Sequence, residues 1–267
     1  MPIIVNGKKL ETFQFSGGEC HIKINIADIS DKTSITAHLS SSDDIMCLML
    51  AVDAIRRVNP ATVINLTIPY FPYARQDRVC NEGESLSVKV MADIINSLHC
   101  ASVTIYDPHS DVTPALLNNC KIIPLAEIVS NHLAKMVADK KLALVSPDAG
   151  AEKKTRMAAK LLSAEVFCSS KTRDTMTGNI TATAIHADVN GRDLLIVDDI
   201  CDGGRTFIEL AKELKGGGAG DIYLYVTHGI FSQGLSEISP HFKHIYCYYT
   251  MLKDPEINNP TLTIFSK

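Results

Sequence analysis

The chain has 267 residues, of which 46% are hydrophobic and 21% charged, with a formal net charge of -4. This length fits one large domain or two smaller ones, and the apolar fraction excludes a disordered chain. The weakly acidic balance and the lack of a lysine or arginine run exclude a general nucleic-acid binder, and no apolar stretch reaches the ~20 residues of a membrane span.

The eight cysteines are spread along the chain and none forms a C-x-x-C pair. This spacing excludes a zinc knuckle or a dithiol redox motif and predicts buried free thiols. Since no signal peptide is recognisable, we expect a cytoplasmic protein.

Strand-like and helix-like segments alternate in the first half of the chain. Apolar residues at helical spacing predict a helix over 43–58, with Ser42 or Asp43 as its N-cap. The other expected elements are the strands MPIIVN, FQFSGGECHIKI, TVINLTIPYF and ASVTIYDP and helices over 85–98 and 125–138.

The same alternation restarts near 139–142. The expected elements are the strands LALVSPDAG, AEVFCSS, DLLIVDD and DIYLYVTHG and helices over 151–163 and 206–215. Alternating strands and helices predict parallel sheets. We therefore expect an α/β fold with two domains, residues 1–138 and 139–267, and a tail after Met251 short enough to pack back on the first domain or on the second.

The stretch LIVDDICDGGRTF at 195–207 has the composition of an anion site. Asp198 and Asp199 end a strand, which is where ligands bind in open parallel sheets. The glycines that follow and the start of the next helix can turn N–H groups toward a phosphate, and Arg205 and Thr206 add a cation and a hydroxyl. Because acids would repel a bare phosphate, the stretch favours a sugar phosphate with Mg²⁺, the plainer alternative being a turn without a ligand.

The segment VDDICDGGRT at 197–206 resembles the ribose-phosphate loop of type I phosphoribosyltransferases and of ribose-phosphate diphosphokinases. Other stretches favour the diphosphokinases, and the resemblance runs in consistent order over roughly residues 5–235. These stretches are PYFPYARQDR at 69–78, FSGGE at 15–19, DPHS at 107–110, VSPDAGAEKK at 145–154 and THG at 227–229. The resemblance implies two tandem Rossmann-like domains of the phosphoribosyltransferase type I kind.

The resemblance also implies an activity, the transfer of a diphosphoryl group from Mg-ATP to the 1-hydroxyl of ribose 5-phosphate. The products are phosphoribosyl pyrophosphate and AMP. Family members assemble as homo-oligomers, so we expect a homodimer or a larger assembly, with no nucleic-acid or membrane partner.

Each matched residue takes a role from the resemblance. Lys171, Arg173 and His109 are the expected catalytic residues, the first two opening a mobile loop. The expected ATP-binding residues are Phe15, Glu19, Arg75, Gln76 and His109. The expected ribose-phosphate ligands are Asp198, Asp199, Asp202, Gly203, Gly204, Arg205 and Thr206, and the expected Mg²⁺ ligands are His109, Asp148 and Asp199.

Three positions depart from the family's pattern. Gly203 and Arg205 stand where the family has threonine and glycine, so a ribose with a larger 5-substituent, such as ADP-ribose in NAD metabolism, is an alternative acceptor. Gly17 stands where the family often has aspartate, which leaves base selection open. An acidic segment, VCNEGESLS at 79–87, replaces the basic one linked to phosphate activation, and we expect no such regulation.

Two other functions stay open from the sequence. A phosphoribosyltransferase that consumes phosphoribosyl pyrophosphate would share the loop at 197–206, but it has no use for the ATP-binding stretches. A non-catalytic regulatory homologue would not need Lys171, Arg173 and His109.

Overall fold

A computed structural model describes residues 3–173, 180–185, 188–253 and 256–266, with side chains described outside 170–187 and 256. The chain divides into two compact units, Met1–Ile123 and Pro124–Lys267. Each unit has its own sheet and its own buried apolar core. In the described part of the chain, no helix is both long and apolar enough to cross a membrane.

The first unit is an α/β unit with a six-stranded sheet. Its elements are β1 (Ile3–Val5), β2 (Lys8–Lys9), β3 (Glu11–Gln14), β4 (Cys20–Lys23), β5 (Lys32–Ala37), α1 (Ser42–Val58), β6 (Val63–Ile68), α2 (Ser87–Ser97), β7 (Ser102–Tyr106), α3 (Val112–Leu116) and β8 (Cys120–Ile123). The strand order is β2-β1-β5-β6-β7-β8. Strands β5 to β8 are parallel, and β1 and β2 are antiparallel.

The local sequence of α1 explains both its buried face and its first turn. Leu48, Val52 and Ile55 recur at helical spacing and are buried in the core. The expected cap was wrong by one or two residues, because the N-cap is Ser41, whose side chain accepts from the Asp44 backbone N–H. Asp44 in turn accepts from the backbone N–H of Ser40, which closes the first turn from both sides.

The stretch FQFSGGECHIKI forms a separate hairpin. Strands β3 and β4 pair only with each other, in the register Phe13↔His21 and Gln14↔Cys20. Ile22 is the one buried residue of these two strands, and the tip of the hairpin at 15–19 is exposed to solvent.

The second unit repeats the α/β alternation. Its elements are α4 (Leu125–Lys140), β9 (Ala143–Ser146), α5 (Ala149–Leu162), β10 (Val166–Arg173), β11 (Ile180–Ile185), β12 (Leu194–Cys201), α6 (Arg205–Gly216), β13 (Ile222–Gly229), β14 (His244–Thr250) and β15 (Leu262–Ile264). The seven strands have the order β11-β10-β9-β12-β13-β14-β15, parallel except for the β10–β11 pair. The expected α/β fold with mostly parallel sheets is confirmed.

Two inner strands of the second sheet, one on each side of β12, are buried along their whole length. All residues of β9 and β13 are buried, which is typical of parallel strands covered on both faces. The tail belongs to this sheet, because β15 extends it beside β14 in the register Ile245↔Leu262. The carboxyl ends of β9 and β12 lie side by side, and this edge positions the acidic residues described next.

Candidate functional site

The expected ribose-phosphate acids lie at the carboxyl end of β12. Asp199 is 7% exposed and Asp198 precedes it, while Asp148 follows the neighbouring strand β9. Asp148 is also the N-cap of α5, where its Oδ1 accepts from the Ala151 N–H at 3.1 Å. Two adjacent strand ends therefore bring three carboxylates to one edge of the sheet.

These carboxylates influence one another. Desolvation raises the pKa of Asp198 well above its usual range, and the charge of Asp199 raises it further, with a smaller contribution from Asp148. The Asp199 backbone N–H opposes this by donating to Asp198 Oδ1 at 2.9 Å. A cation or a hydrogen-bond donor placed among the three acids would relieve this repulsion.

The loop after β12 leads directly into α6. Gly204 is the N-cap of this helix and has φ +80°, a conformation that favours glycine. A Cβ at Gly204 would stand 3.0 Å from Ile238 Cδ1, so a side chain there would be crowded. The helix consequently starts from a loop without a capping side chain, and its first N–H groups suit an anion.

Arg205 does not point into this loop. Its Nε donates to Glu209 Oε1 at 2.9 Å, one turn along α6, and its side chain is 85% exposed. The segment after β13 also contacts the loop. The Ser232 backbone N–H donates to the Asp202 carbonyl, and a Cβ at Gly203 would lie 3.7 Å from Gln233 Cγ. Ser232 and Gln233 are thus neighbours of the loop that the sequence reasoning missed.

Lys154 is a further residue that the sequence reasoning missed. Its Nζ lies 3.4 Å from Asp199 Oδ2, and it is carried by α5, which Thr155 ties to β12 by donating to the Val197 carbonyl at 3.4 Å. The segment VSPDAGAEKK contains this lysine, but nothing in the spacing tells Lys154 from Lys153.

In the first unit, three expected ATP ligands line one open cavity of about 560 Å³. They are Arg75, Gln76 and His109, from the segments ARQDR and DPHS. The other lining residues are Asp77, Arg78, Cys80, Glu84, Ser85 and Ser87. The cavity thus combines two arginines and a histidine with two acids, Asp77 and Glu84, and Arg78 is paired with Asp77. The arginine and histidine side chains are donors of the kind that bind a polyphosphate.

Asp77 connects the two segments of this cavity. Desolvation raises the pKa of Asp77, but hydrogen bonds from Ser110 and Arg78 and the nearby His109 outweigh it, so the pKa is lowered. Its side chain is 6% exposed, and Arg78 Nε donates to its Oδ1 at 3.1 Å. Asp77 therefore fixes the segment that carries His109.

Phe15 and Glu19 lie on the hairpin and do not line this cavity. Phe15 is 53% exposed and sits in a cluster of rings with Phe13 and His21, at centroid distances of 5.2 and 5.7 Å. Glu19 folds back over Gly17, where a Cβ would stand 2.5 Å from Glu19 Oε2. An exposed ring cluster beside a carboxylate suits a purine with an amino group.

Lys171 and Arg173 belong to the last residues of β10, paired with Thr183 and Ile180 of β11. The expected loop thus starts inside an antiparallel ribbon, and a bulge lies between Thr172 and Arg173. The side chains of Lys171 and Arg173 lie outside the described residues.

The expected Mg²⁺ ligands are divided between the units, His109 in the first and Asp148 and Asp199 in the second. Within the described residues, no group of three or more histidine, cysteine or acidic side chains has the arrangement of a complete metal site. One or two carboxylates do suit Mg²⁺, which usually completes its shell with water and substrate phosphates.

Comparison with known proteins bears on both units. Residues 3–98 match the family model for the N-terminal domain of ribose phosphate pyrophosphokinase, and residues 148–239 match the phosphoribosyl synthetase-associated domain. The crystal structure of phosphoribosylpyrophosphate synthetase from Mycobacterium smegmatis has the same fold, with a TM-score of 0.79 over 96% of this chain and 85% of that one, at 20% identity.

Three similar curated proteins are named as ribose-phosphate pyrophosphokinases. The ribose-phosphate pyrophosphokinase of Shewanella oneidensis is 35% identical over 84% of this chain and 72% of its own length. That of Mycoplasmopsis pulmonis is 30% identical over 82% and 69%, and ribose-phosphate pyrophosphokinase 2 of Archaeoglobus fulgidus is 30% identical over 82% and 75%. With the acidic strand end, the glycine-started helix and the cavity lined by two arginines in place, these matches show that the chain belongs to the ribose-phosphate pyrophosphokinase family.

Proposed function

We propose that the protein is a ribose-phosphate pyrophosphokinase that transfers the diphosphoryl group of ATP to the 1-hydroxyl of ribose 5-phosphate. The anomeric oxygen attacks the β-phosphorus of ATP, and the bond between this phosphorus and the oxygen bridging it to the α-phosphorus breaks. AMP leaves with that oxygen, and the hydroxyl proton passes to solvent. The products are phosphoribosyl pyrophosphate and AMP.

One observation carries the acceptor half of this proposal, the buried acids of β12 next to the uncapped start of α6. Asp198 and Asp199 accept hydrogen bonds from the 2- and 3-hydroxyls of ribose, which relieves their repulsion. The 5-phosphate meets the first N–H groups of α6, together with the Thr206 hydroxyl. The acids and the helix start follow one another along the chain, and a ligand with hydroxyls at one end and a phosphate at the other can use both.

The donor half rests on the first unit. Arg75, Gln76 and His109 hold the phosphates of ATP in the cavity that they line, while Phe15 stacks on the base and Glu19 accepts from its amino group. Lys171 and Arg173 neutralise the charge that develops on the transferred group, because transfer of this kind depends mainly on positioning and charge neutralisation.

Mg²⁺ is part of the proposal. When bound, it would neutralise the transferred phosphates and orient them for in-line attack. Asp199, Asp148 and His109 are the residues that would hold it. We further propose that the protein self-associates, as a homodimer or a larger assembly, which light scattering of the purified chain can measure.

ADP-ribose is a second candidate acceptor, favoured by the position of Arg205. An exposed guanidinium at the rim of the phosphate loop is available to a second phosphate beyond the 5-position if it leaves Glu209. Both acceptors use the same reaction and the same acids.

The test is AMP release from Mg-ATP with ribose 5-phosphate, with ADP-ribose and with no acceptor. We expect AMP only with an acceptor, and a large loss in Lys171→Ala but not in Lys160→Ala, which changes an exposed lysine of α5. If neither acceptor yields AMP, the proposal fails; if Lys171→Ala releases AMP at the normal rate, the catalytic role of Lys171 fails.

A further inference from the structure

Lys154 lies beside Asp199, one of the acids of the sugar site. Its side chain is 27% exposed, and that of Asp199 is 10% exposed. Thr155, fully buried, hydrogen-bonds to Ala151 and Val197 and so fixes the turn of α5 that carries Lys154 against β12. The lysine is held at the acids by its backbone position and not by chance contact of a surface side chain.

The contact between Lys154 and Asp199 is loose. Its distance of 3.4 Å exceeds the roughly 2.7–2.9 Å of a charge-assisted hydrogen bond. A cation on a long, flexible side chain can exchange partners at little cost. The pair is thus suited to neutralise Asp199 without closing the site permanently.

Other acids surround the pair of Lys154 and Asp199. Asp148, Asp198 and Asp199 are near enough for the first and third to influence the second electrostatically. Two of these acids, Asp148 and Asp199, are the carboxylates that we propose as metal ligands in this unit, and one or two carboxylates are enough to attract a divalent cation before any substrate arrives. The Lys154 ammonium weakens that attraction, because it occupies the Asp199 carboxylate that the metal would use.

We propose that Lys154 screens Asp199 from free metal and then pairs with the incoming diphosphate. In the first state its ammonium pairs with Asp199. When the metal arrives with the anionic substrate, the ammonium leaves the carboxylate and pairs with phosphate oxygens instead. This inference rests on the proposed function, since it takes the transferred group to be a metal-bound diphosphate.

This role predicts opposite signs for two measurements. A neutral residue at position 154 strengthens the binding of metal alone, since the competing charge is gone, and weakens turnover, since the diphosphate has lost a cation. A lysine that only stabilised the fold would leave metal affinity unchanged or lower it together with activity.

The experiment titrates Mn²⁺ alone into the full chain and follows the free-ion signal by electron paramagnetic resonance. Lys154→Met and Lys154→Gln should bind Mn²⁺ about tenfold more tightly, the size expected for removing one close charge. Lys154→Arg and the control Lys160→Met should match the unchanged protein. In the AMP assay, Lys154→Met should lose about tenfold in kcat, and Lys154→Arg should restore most of it.

Mn²⁺ binding that is unchanged or weaker in both neutral variants overturns the proposal, whatever their activity. Tighter Mn²⁺ binding with unchanged kcat overturns it as well, because the pairing with the diphosphate is then absent. Two neutral variants of different polarity guard against loss of folding in one of them. The titration needs no turnover, so a protein that releases no AMP contradicts the proposed function while the role of Lys154 at Asp199 is still decided.

Discussion

Arg205 and Glu209 form an ion pair along the outer face of α6, with Arg205 Nε 2.9 Å from Glu209 Oε1. This pair turns the guanidinium away from the phosphate loop that the sequence assigned it to. Exposed pairs of this spacing contribute little to stability, so Arg205 can leave Glu209 easily when an anion offers a better partner.

Arg205→Gly tests the choice of acceptor. We expect the variant to keep activity on ribose 5-phosphate, since the backbone N–H groups at the start of α6 and the Thr206 hydroxyl remain. It should lose at least about tenfold in kcat/KM on ADP-ribose, the cost of a charge-assisted hydrogen bond. Glu209→Ala is the matched control, because it frees Arg205 without removing it. Equal losses on both acceptors would show that Arg205 supports the 5-phosphate itself.

Gly17→Ala and Gly17→Asp test the hairpin tip. A Cβ at position 17 would stand 2.5 Å from Glu19 Oε2, so either variant displaces the carboxylate, and aspartate also repels it. We expect KM for ATP to rise in both variants, by about tenfold in Gly17→Asp, with kcat less affected.

The readout is KM for ATP and for GTP in parallel. Because the hairpin tip is exposed, both variants should unfold at the same temperature as the unchanged protein. An unchanged KM for ATP in both would remove Glu19 from the nucleotide site.

Asp77→Asn tests the support of His109. Asparagine cannot hold Ser110 and Arg78 by charge, so the segment with His109 loses its tether. We expect a loss of about tenfold in kcat/KM, the scale of a buried charge-assisted hydrogen bond. Asp93→Asn, which breaks an exposed ion pair with Lys89 on α2, is the control and should change nothing. Normal activity in Asp77→Asn would make Asp77 dispensable.

Asp44→Asn tests the first turn of α1 through its pH dependence. Desolvation raises the pKa of Asp44, but hydrogen bonds from Ser40 and Ser41 outweigh it and the pKa is lowered. A lowered folded pKa adds stability above the unfolded value near about 4, and this stability is lost as pH falls through the folded value. Solvent partly screens this carboxylate, and asparagine can still accept the hydrogen bonds, so the variant should be less stable by only about 0.5 kcal/mol at pH 7.

Urea unfolding of both proteins between pH 7 and pH 3 measures this difference. It should shrink steadily below about pH 4. A difference that is the same at every pH would mean that the charge of Asp44 does not contribute.

The sequence predicted most helices of this fold because their apolar spacing is regular. The helix expected over 43–58 is Ser42–Val58, and the one expected over 125–138 is Leu125–Lys140. The cap at Ser41 was missed because Ser40, Ser41, Ser42 and Asp43 all suit that role, and only the hydrogen bond to Asp44 distinguishes them.

The site was predictable where a motif coincides with a strand end. Asp198, Asp199 and Gly204 lie where the motif predicts them, and the cavity brings Arg75, Gln76 and His109 together, while their roles in binding stay predictions. Lys154, Ser232 and Gln233 were missed because tertiary packing, and not spacing, brings them to the acids or the loop. The outward turn of Arg205 depends on Glu209, one turn further along α6, which the phosphate-loop motif does not include.

Phosphorus NMR of the full reaction tests the proposed activity most directly. With Mg-ATP and ribose 5-phosphate, we expect the ATP signals to be replaced in equal amounts by AMP and by a sugar that carries a diphosphate on C1. Formation of ADP would indicate transfer of a single phosphoryl group, and AMP with free pyrophosphate would indicate hydrolysis. Either result, or unchanged ATP with both acceptors, would contradict diphosphoryl transfer by this protein.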